Sequence, residues 1–266
     1  MMPAVRRAIA VMHERYSEPI SLHDLASEVF VSPFHFSRVF SRETGVTPGR
    51  YLTAVRLFEA KRLLLTTPLT VSDIVCSVGY SSVGTFTSKF TRVVGITPTQ
   101  YRDPEVGELL LAISARLQRL PSLQALRDAG SGCVRPHPHG GASIVARIAM
   151  PPGATGNVLV GVFGESIPQC APVAFAGASD AGSTELTVRN VPPGRWVVIA
   201  AAEHPTASQL TFSRGMARYP VTIVCDETVP VDVRLRSLEA TDPPIAITLA
   251  SRISPSAVGR ALRAVA

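Results

Sequence analysis

The chain has 266 residues, 46% hydrophobic and 17% charged, which is enough apolar content for one large core or two modest ones and too much for a simple disordered chain. No run reaches the roughly 18 apolar residues of a membrane-spanning helix, and the opening residues lack the apolar stretch and cleavage site of an export signal, so a soluble cytoplasmic chain is expected. The formal charge of +6 is concentrated: residues 1–102 hold 12 Lys and Arg against 7 Asp and Glu, a net +5, whereas residues 103–266 hold 14 against 13, a net +1.

Localised positive charge suits an acidic partner such as nucleic acid. Composition changes at the same point. Beyond Pro104, Pro and Gly thicken and helical periodicity gives way to short Val/Ile/Ala-rich runs, so two domains are expected. Cys76, Cys133, Cys170 and Cys225 form no C-x-x-C pair, which fits reduced thiols better than a disulfide framework.

An internal repeat organises the basic part. Residues 32–48 are echoed by residues 82–98 at an offset of 50: Phe36 matches Phe86, Phe40 matches Phe90, Arg42 matches Arg92, Gly45 matches Gly95, and Tyr51 matches Tyr101. Upstream, Asp24-Leu25 matches Asp73-Ile74 at offset 49, which places a one-residue insertion near Ser81-Ser82. Two copies make a duplicated supersecondary unit and not a solenoid.

Each copy reads as helix, turn, helix. In the first, Ser21 caps a helix with Leu22, Leu25, Ala26 and Val29 inward and Asp24 three residues after the cap. A turn follows at Phe30-Val31. Ser32 then caps a second helix with Pro33 at its first position and Gly45 at its end. Phe36, Val39 and Phe40 make its inner stripe, leaving Phe34, Ser37, Arg38, Ser41 and Arg42 outward, a polar and cationic surface that a major groove accepts. The second copy places Val71, Ile74, Val75 and Val78 on one helix, Gly79 at the turn, and Phe86, Phe90 and Val93 inward on the next. Its outward set is Val83, Gly84, Thr87, Ser88, Thr91 and Arg92. Residues 47–65, with Leu57, Ala60 and Leu64 on one stripe, read as a long helix joining the copies. Such a rod can hold two recognition helices about one DNA turn, roughly 34 Å, apart.

These residues resemble the DNA-binding domain of the AraC/XylS family of transcription regulators. The resemblance rests on Leu25-Ala26, Ser32-Pro33 with Phe36 and Phe40, Gly45-Val46-Thr47-Pro48, Arg56-Leu57 with Ala60 and Leu63-Leu64, Gly79-Tyr80-Ser81, Phe86 with Phe90, and Gly95-Ile96-Thr97-Pro98 with Tyr101-Arg102. It covers residues 5–102, about two fifths of the chain. It implies that the outward positions of each second helix meet base edges, which nominates Phe34, Ser37 and Arg38 in the first copy and Val83, Gly84, Thr87 and Ser88 in the second. Arg42, Lys89 and Arg92 are expected on phosphate. Arg38 is the strongest base reader, because Arg forks onto guanine O6 and N7. The second copy has no Arg or Gln at its early exposed positions and carries Gly84 inside the helix, so it is expected to anchor the backbone more than to read sequence.

Residues 104–126 show Val106, Leu109, Leu110, Ile113, Leu117 and Leu120 at spacings of three and four, read as a helix of several turns whose apolar side docks within the chain. Residues 128–141 read as a linker. Beyond it lie eight candidate strands, at 143–149, 157–163, 172–176, 184–188, 195–201, 220–225, 229–235 and 245–249, which argue for an antiparallel β-sandwich. Asn190-Val191-Pro192-Pro193-Gly194-Arg195-Trp196 and the flanking strands look like the transthyretin-like or carboxypeptidase-regulatory-like sandwiches.

Catalytic patterns are sparse. Cys133, His137 and His139 offer soft and imidazole donors without a fourth ligand, Asp226-Glu227 reads as a turn, and Trp196 reads as core. Neither a catalytic motif nor a cofactor pattern is present, so no enzyme and no cofactor is expected. DNA-alkylation repair proteins also carry AraC-like domains, but their P-C-H-R setting is absent around Cys133, and Cys76 falls on the inner first helix of the second copy.

The expected molecule is thus an α+β multidomain chain. A tandem helix-turn-helix domain spans 1–103, a connecting helix and linker 104–141, a β-sandwich 142–250 and a tail 251–266. Its partner is promoter or operator duplex DNA in the nucleoid. RNA polymerase, a second copy in a homodimer and a small-molecule effector are left open as further partners. The resemblance places a sensor ahead of the DNA-binding part; here the second domain follows it, so the family's sugar-binding barrel is not carried over. A non-specific nucleoid-associated protein is the rival function.

Overall fold

The structure, a computed structural model, describes residues 2–114, 116–128, 142–205, 210–224 and 227–249. Cys133, His137, His139, Asp226, nearly all of the 128–141 linker and the 251–266 tail lie outside the described residues. Among the described residues no helix is long and apolar enough to cross a membrane.

The helical part runs α1 (Pro3–Glu14), α2 (Leu22–Ser27), α3 (Pro33–Thr44), α4 (Pro48–Thr66), α5 (Val71–Ser77) and α6 (Val83–Val94). Local chemistry sets the starts. Ser21 Oγ accepts from the Asp24 N–H and the Asp24 carboxylate accepts from the Ser21 N–H, a capping box that Thr70 and Asp73 repeat at α5. Ser32, Thr47 and Ser82 cap α3, α4 and α6, with Pro33 and Pro48 in the first turns of α3 and α4. Gly45 and Gly95 end α3 and α6 in the left-handed region, at φ 76° and 95°.

The duplication reaches into the packing. In the first copy the Phe36 and Phe40 rings lie 5.5 Å apart and Phe40 stands 5.6 Å from Tyr51; in the second, Phe86 and Phe90 lie 5.5 Å apart and Phe90 stands 5.6 Å from Tyr101. Such tilted and edge-on pairs add to plain burial. The 19-residue α4 serves both cores, giving Tyr51, Leu52 and Val55 to one and Leu57, Ala60 and Leu64 to the other. Helix α1, with Val5, Ala8, Ile9 and Met12 buried, closes the first core. On α6 the residue buried beside Phe90 is Val94, with Val93 only partly covered, and Leu22 of α2 is exposed.

The segment expected as a long helix is different. Helix is confined to its two ends, α7 (Pro104–Glu108) and a short α8 (Leu123–Asp128); between them the chain forms β1 (Leu110–Ile113) and β2 (Gln118–Arg119). Strand β1 pairs antiparallel with β12 (Ile245–Thr248), so the β-rich part takes in residues well before 142. The physical reason is that both faces of β1 are covered. Leu111 and Ile113 enter one cluster and Leu110 and Ala112 another, and an apolar run buried on two sides mimics helical spacing. Its apolar side chains are covered within the chain, as expected.

The remaining strands are β3 (Ala142–Ala149), β4 (Gly156–Phe163), β5 (Ala174–Ala181), β6 (Thr184–Val191), β7 (Gly194–Pro205), β8 (Leu210–Met216), β9 (Val221–Ile223), β10 (Thr228–Arg234) and β11 (Arg236–Ser237). One sheet has the order β11-β8-β7-β4-β5 with β9 also on β7; a second has the order β10-β3-β6. They enclose Ile144, Val160, Val188, Trp196, Val198 and Val231. The β10–β3 pair is parallel, a departure from an all-antiparallel sandwich, while β3–β6 and the six-stranded sheet are antiparallel. The opposite face of the six-stranded sheet carries Leu159, Phe163, Ile199 and Phe212, on which β1 and β12 pack. Trp196 is core, with its indole N–H donating to the Pro192 carbonyl at 2.8 Å.

The two parts meet on α4. Phe58 packs with Leu110, Ala112 and Ala246, and Ile167 enters the first helical core. The Tyr51 hydroxyl lies 3.1 Å from the Thr241 carbonyl and 3.2 Å from that of Asp242. Buried Glu59 is paired with Arg62 at 2.8 Å and with Arg116 at 3.3 Å, and Arg50 pairs with Glu165. Lys61, with no exposed surface, donates to the Gln169 carbonyl at 2.9 Å, its side-chain oxygen at 3.1 Å and the Ala246 carbonyl at 2.7 Å.

Candidate nucleic-acid interface

The outward side of α3 follows from its inner stripe. With Phe36, Val39 and Phe40 buried, helical geometry turns Phe34, Arg38 and Arg42 to solvent and leaves Ser37 partly exposed. Phe34 is 73% exposed, and the Arg38 guanidinium sits 5.6 Å from its ring centroid. That cation–π contact restrains a long side chain while leaving its donors outward, a pre-orientation that neither residue alone provides. Arg42 Nη2 lies 3.8 Å from Met2 Sδ and 3.8 Å from Glu43, at the far end of the same face.

On α6, Val83, Gly84, Ser88 and Arg92 are exposed and Thr87 is partly so. This face has no cation before Lys89, in contrast with α3. Lys89 itself is half-buried: its ammonium stands 5.6 Å from the Tyr80 ring and 3.5 Å from Thr53 Oγ1 of α4. Burial, with Arg56 and Arg92 nearby, lowers its pKa. Arg56 shares the Tyr80 ring at 5.8 Å and donates to the Tyr16 and Glu18 carbonyls at 2.7 and 2.6 Å, so it ties α4 to the loop after α1. Arg102 likewise donates to the carbonyls of Thr67 and Leu69. Those two arginines hold the frame and do not face outward as readers. Cys76 lies on α5, the first helix of the second copy, and is exposed.

One surface feature was not singled out in the sequence. Phe30, at the turn between α2 and α3, has φ 56° and is 95% exposed. Its counterpart in the second copy is Gly79, at φ 76°. The signal was available in the repeat as a phenylalanine aligned with a glycine.

Residues 25–104 match a family model described as a helix-turn-helix domain. Over 98 residues the chain is 31% identical to the lactose operon transcription activator of Staphylococcus xylosus, covering 37% of this chain and 35% of the relative. Over 79 residues it is 44% identical to an HTH-type transcriptional regulator of Mycobacterium tuberculosis, covering 30% of each. The chain thus spans about a third of the length of these curated relatives. Among solved structures, the C-terminal domain of AraT, a response regulator from Geobacillus stearothermophilus, is 34% identical, with a TM-score of 0.38, covering 39% of this chain and 86% of that one. The DNA-binding domain of AdpA, solved in complex with a target DNA, is 26% identical, with a TM-score of 0.38, covering 40% and 96%. The relatives are named as regulators, in keeping with the expectation of a non-enzyme. Taken with the repeated caps and the two outward second helices, the family-model match makes residues 25–104 a helix-turn-helix domain, similar to those of the AraC/XylS regulators.

Proposed function

We propose that the chain is a sequence-specific regulator of transcription that binds duplex DNA with α3 and α6 in successive major grooves. The observation that supports this most is the sharing of one helix: α4 contributes to both cores, so the two outward helices are carried on a single stiff element. Phe34, Ser37 and Arg38 read base edges from α3. Val83, Gly84, Thr87 and Ser88 face bases from α6, where contact is apolar or through hydroxyls and carries less sequence information. Arg42 and Arg92 take phosphates, with Lys89 a third at the seam between α6 and α4. The β part covers α4 while Phe34, Arg38, Ser88 and Arg92 remain exposed, and it is assigned to association, with a second copy or with RNA polymerase, or to sensing a small effector.

The test is binding. Duplexes selected by the full chain from a random pool should be held about 10³-fold or more tightly than random duplex, and both should weaken steeply with salt. Arg38→Ala should flatten preference at one or two base pairs, a loss of about 1–3 kcal/mol at those positions, whereas Arg92→Ala should weaken all sequences alike and reduce the salt slope by about one. Equal affinity for selected and random duplex would instead establish the non-specific nucleoid reading.

A further inference from the structure

The two turns that join the helix pairs are built alike. In the first, the Phe30 N–H donates to the Ser27 carbonyl at 3.1 Å and the Val31 N–H to the Ala26 carbonyl at 3.1 Å; in the second, the Gly79 N–H donates to Cys76 at 3.2 Å and the Tyr80 N–H to Val75 at 3.1 Å. Both turns place one residue in the left-handed region, which glycine occupies freely and a residue with a side chain occupies under strain. The second copy has that glycine. The first has a phenylalanine, with the most exposed ring among the large hydrophobic residues described. Phe30 therefore carries two local penalties, a strained backbone and a hydrated aromatic face, and its ring makes no aromatic or cation contact among the described residues that would offset them. Strain of this kind persists where something outside the local fold uses it.

The position says what that is. Phe30 lies two residues before Ser32, the cap of α3, and four residues of chain, at most about 14 Å, from Phe34. The nearest acidic groups in sequence are already engaged, Glu28 with Arg15 at 2.9 Å and Asp24 within its capping box. The exposed charges ahead on α3 are Arg38 and Arg42, so the surroundings favour a polyanion over an acidic protein face. We infer that Phe30 is a further DNA contact, its ring packing on the deoxyribose edge of the strand at the lip of the groove that α3 enters. This rests on the proposed DNA-binding reading and extends the α3 footprint by a contact that the second copy lacks. A sugar edge carries no base information, so the contact adds affinity to every sequence alike.

Phe30→Gly separates the roles, because it relieves the backbone while removing the ring. The full-length variant should melt about 2–4 °C higher yet bind both a selected duplex and a random duplex about five- to ten-fold more weakly, and Phe30→Tyr should restore binding without the gain in melting temperature. A higher melting temperature with unchanged affinity for both duplexes would overturn the inference. So would unchanged affinity for both duplexes with weakened binding of purified RNA polymerase, which would give the ring to a protein partner. If the parent protein binds no duplex, the DNA-binding reading fails first; if the parent binds and Arg38→Ala shifts preference while Phe30→Gly changes nothing, only this inference fails.

Discussion

Gly79 and Gly45 share a φ of 76° but not their surroundings. A Cβ on Gly79 would lie 2.7 Å from the Ser17 carbonyl oxygen, whereas one on Gly45 would meet nothing within 4 Å. Gly45→Ala should therefore show only the conformational penalty, about 1 kcal/mol. Gly79→Ala adds a backbone collision and should cost about 2 kcal/mol or more. Urea midpoints of the two variants check the difference, and equal losses would mean that the Ser17 loop yields at no cost. The sequence marked Gly79 as a turn residue but could not show the carbonyl against it, since Ser17 is 62 positions away. Arg38 was legible as an outward cation, because the inner stripe fixes which side it occupies. Its stacking on Phe34 follows from their (i, i+4) spacing once both are exposed. Lys89 was not legible in the same way: the same helical phase puts it near the surface, and only the packing of α6 on α4 brings Tyr80 and Thr53 around it.

Elements differ in how far their own sequence determines them. The helix pairs are capped by side chains three residues from their partners, so their starts are local facts and were readable. Their cores repeat ring for ring, which gives a matched prediction: Phe40→Ala and Phe90→Ala should each cost about 3–5 kcal/mol. Loss of activity should follow loss of fold in both, read by circular dichroism alongside DNA binding. The strand β1 was misread because its residues are apolar on both faces, where alternation vanishes. The strand β8 was missed for the opposite reason, since two of its three buried positions, Ser213 and Arg214, are polar and only Phe212 is apolar. Ser213 is satisfied by His204 at 2.6 Å and Arg214 donates to the Pro243 carbonyl at 3.1 Å. Polar residues buried on partners from elsewhere in the fold leave no hydrophobic pattern to read.

At the scale of the whole molecule, the helical and β parts do not behave as beads on a string. Apolar packing at Phe58 and Ile167 is joined by the bonds of Tyr51, Lys61 and Glu59. Unfolding should be a single transition: Trp196 fluorescence, reporting the β part, and helical ellipticity should coincide across a urea titration. Separate midpoints would show that the interface adds little. Lys61 supplies a pH signature. Its three oxygen partners suit an ammonium, but burial outweighs them and lowers the pKa to about 7. Above about pH 7 the folded chain releases a proton that the unfolded chain keeps to about pH 10, so this group's contribution to stability rises with pH across that window. Below it, both states carry the charge and the full burial penalty stands. Lys61→Met removes the titration. Its stability relative to the parent should therefore fall by about 2 kcal/mol between pH 7 and 9, measured by urea unfolding at each pH, and a flat difference would refute the assignment.

The sequence by itself determined what depends on near neighbours: the caps, the turn residues, the repeat, the side of α3 and of α6 that faces out, and the family resemblance those carry. The tertiary structure alone decided what depends on residues far apart. It turned the expected connecting helix into a strand by pairing Leu110 with Thr248, and it set the carbonyls of Gln169 and Ala246 around Lys61. The reason is range. A cap or a helical stripe is fixed within a few residues, whereas a strand's partner and a buried cation's oxygens are fixed only when segments more than a hundred positions apart are brought together by the burial of the surfaces they share.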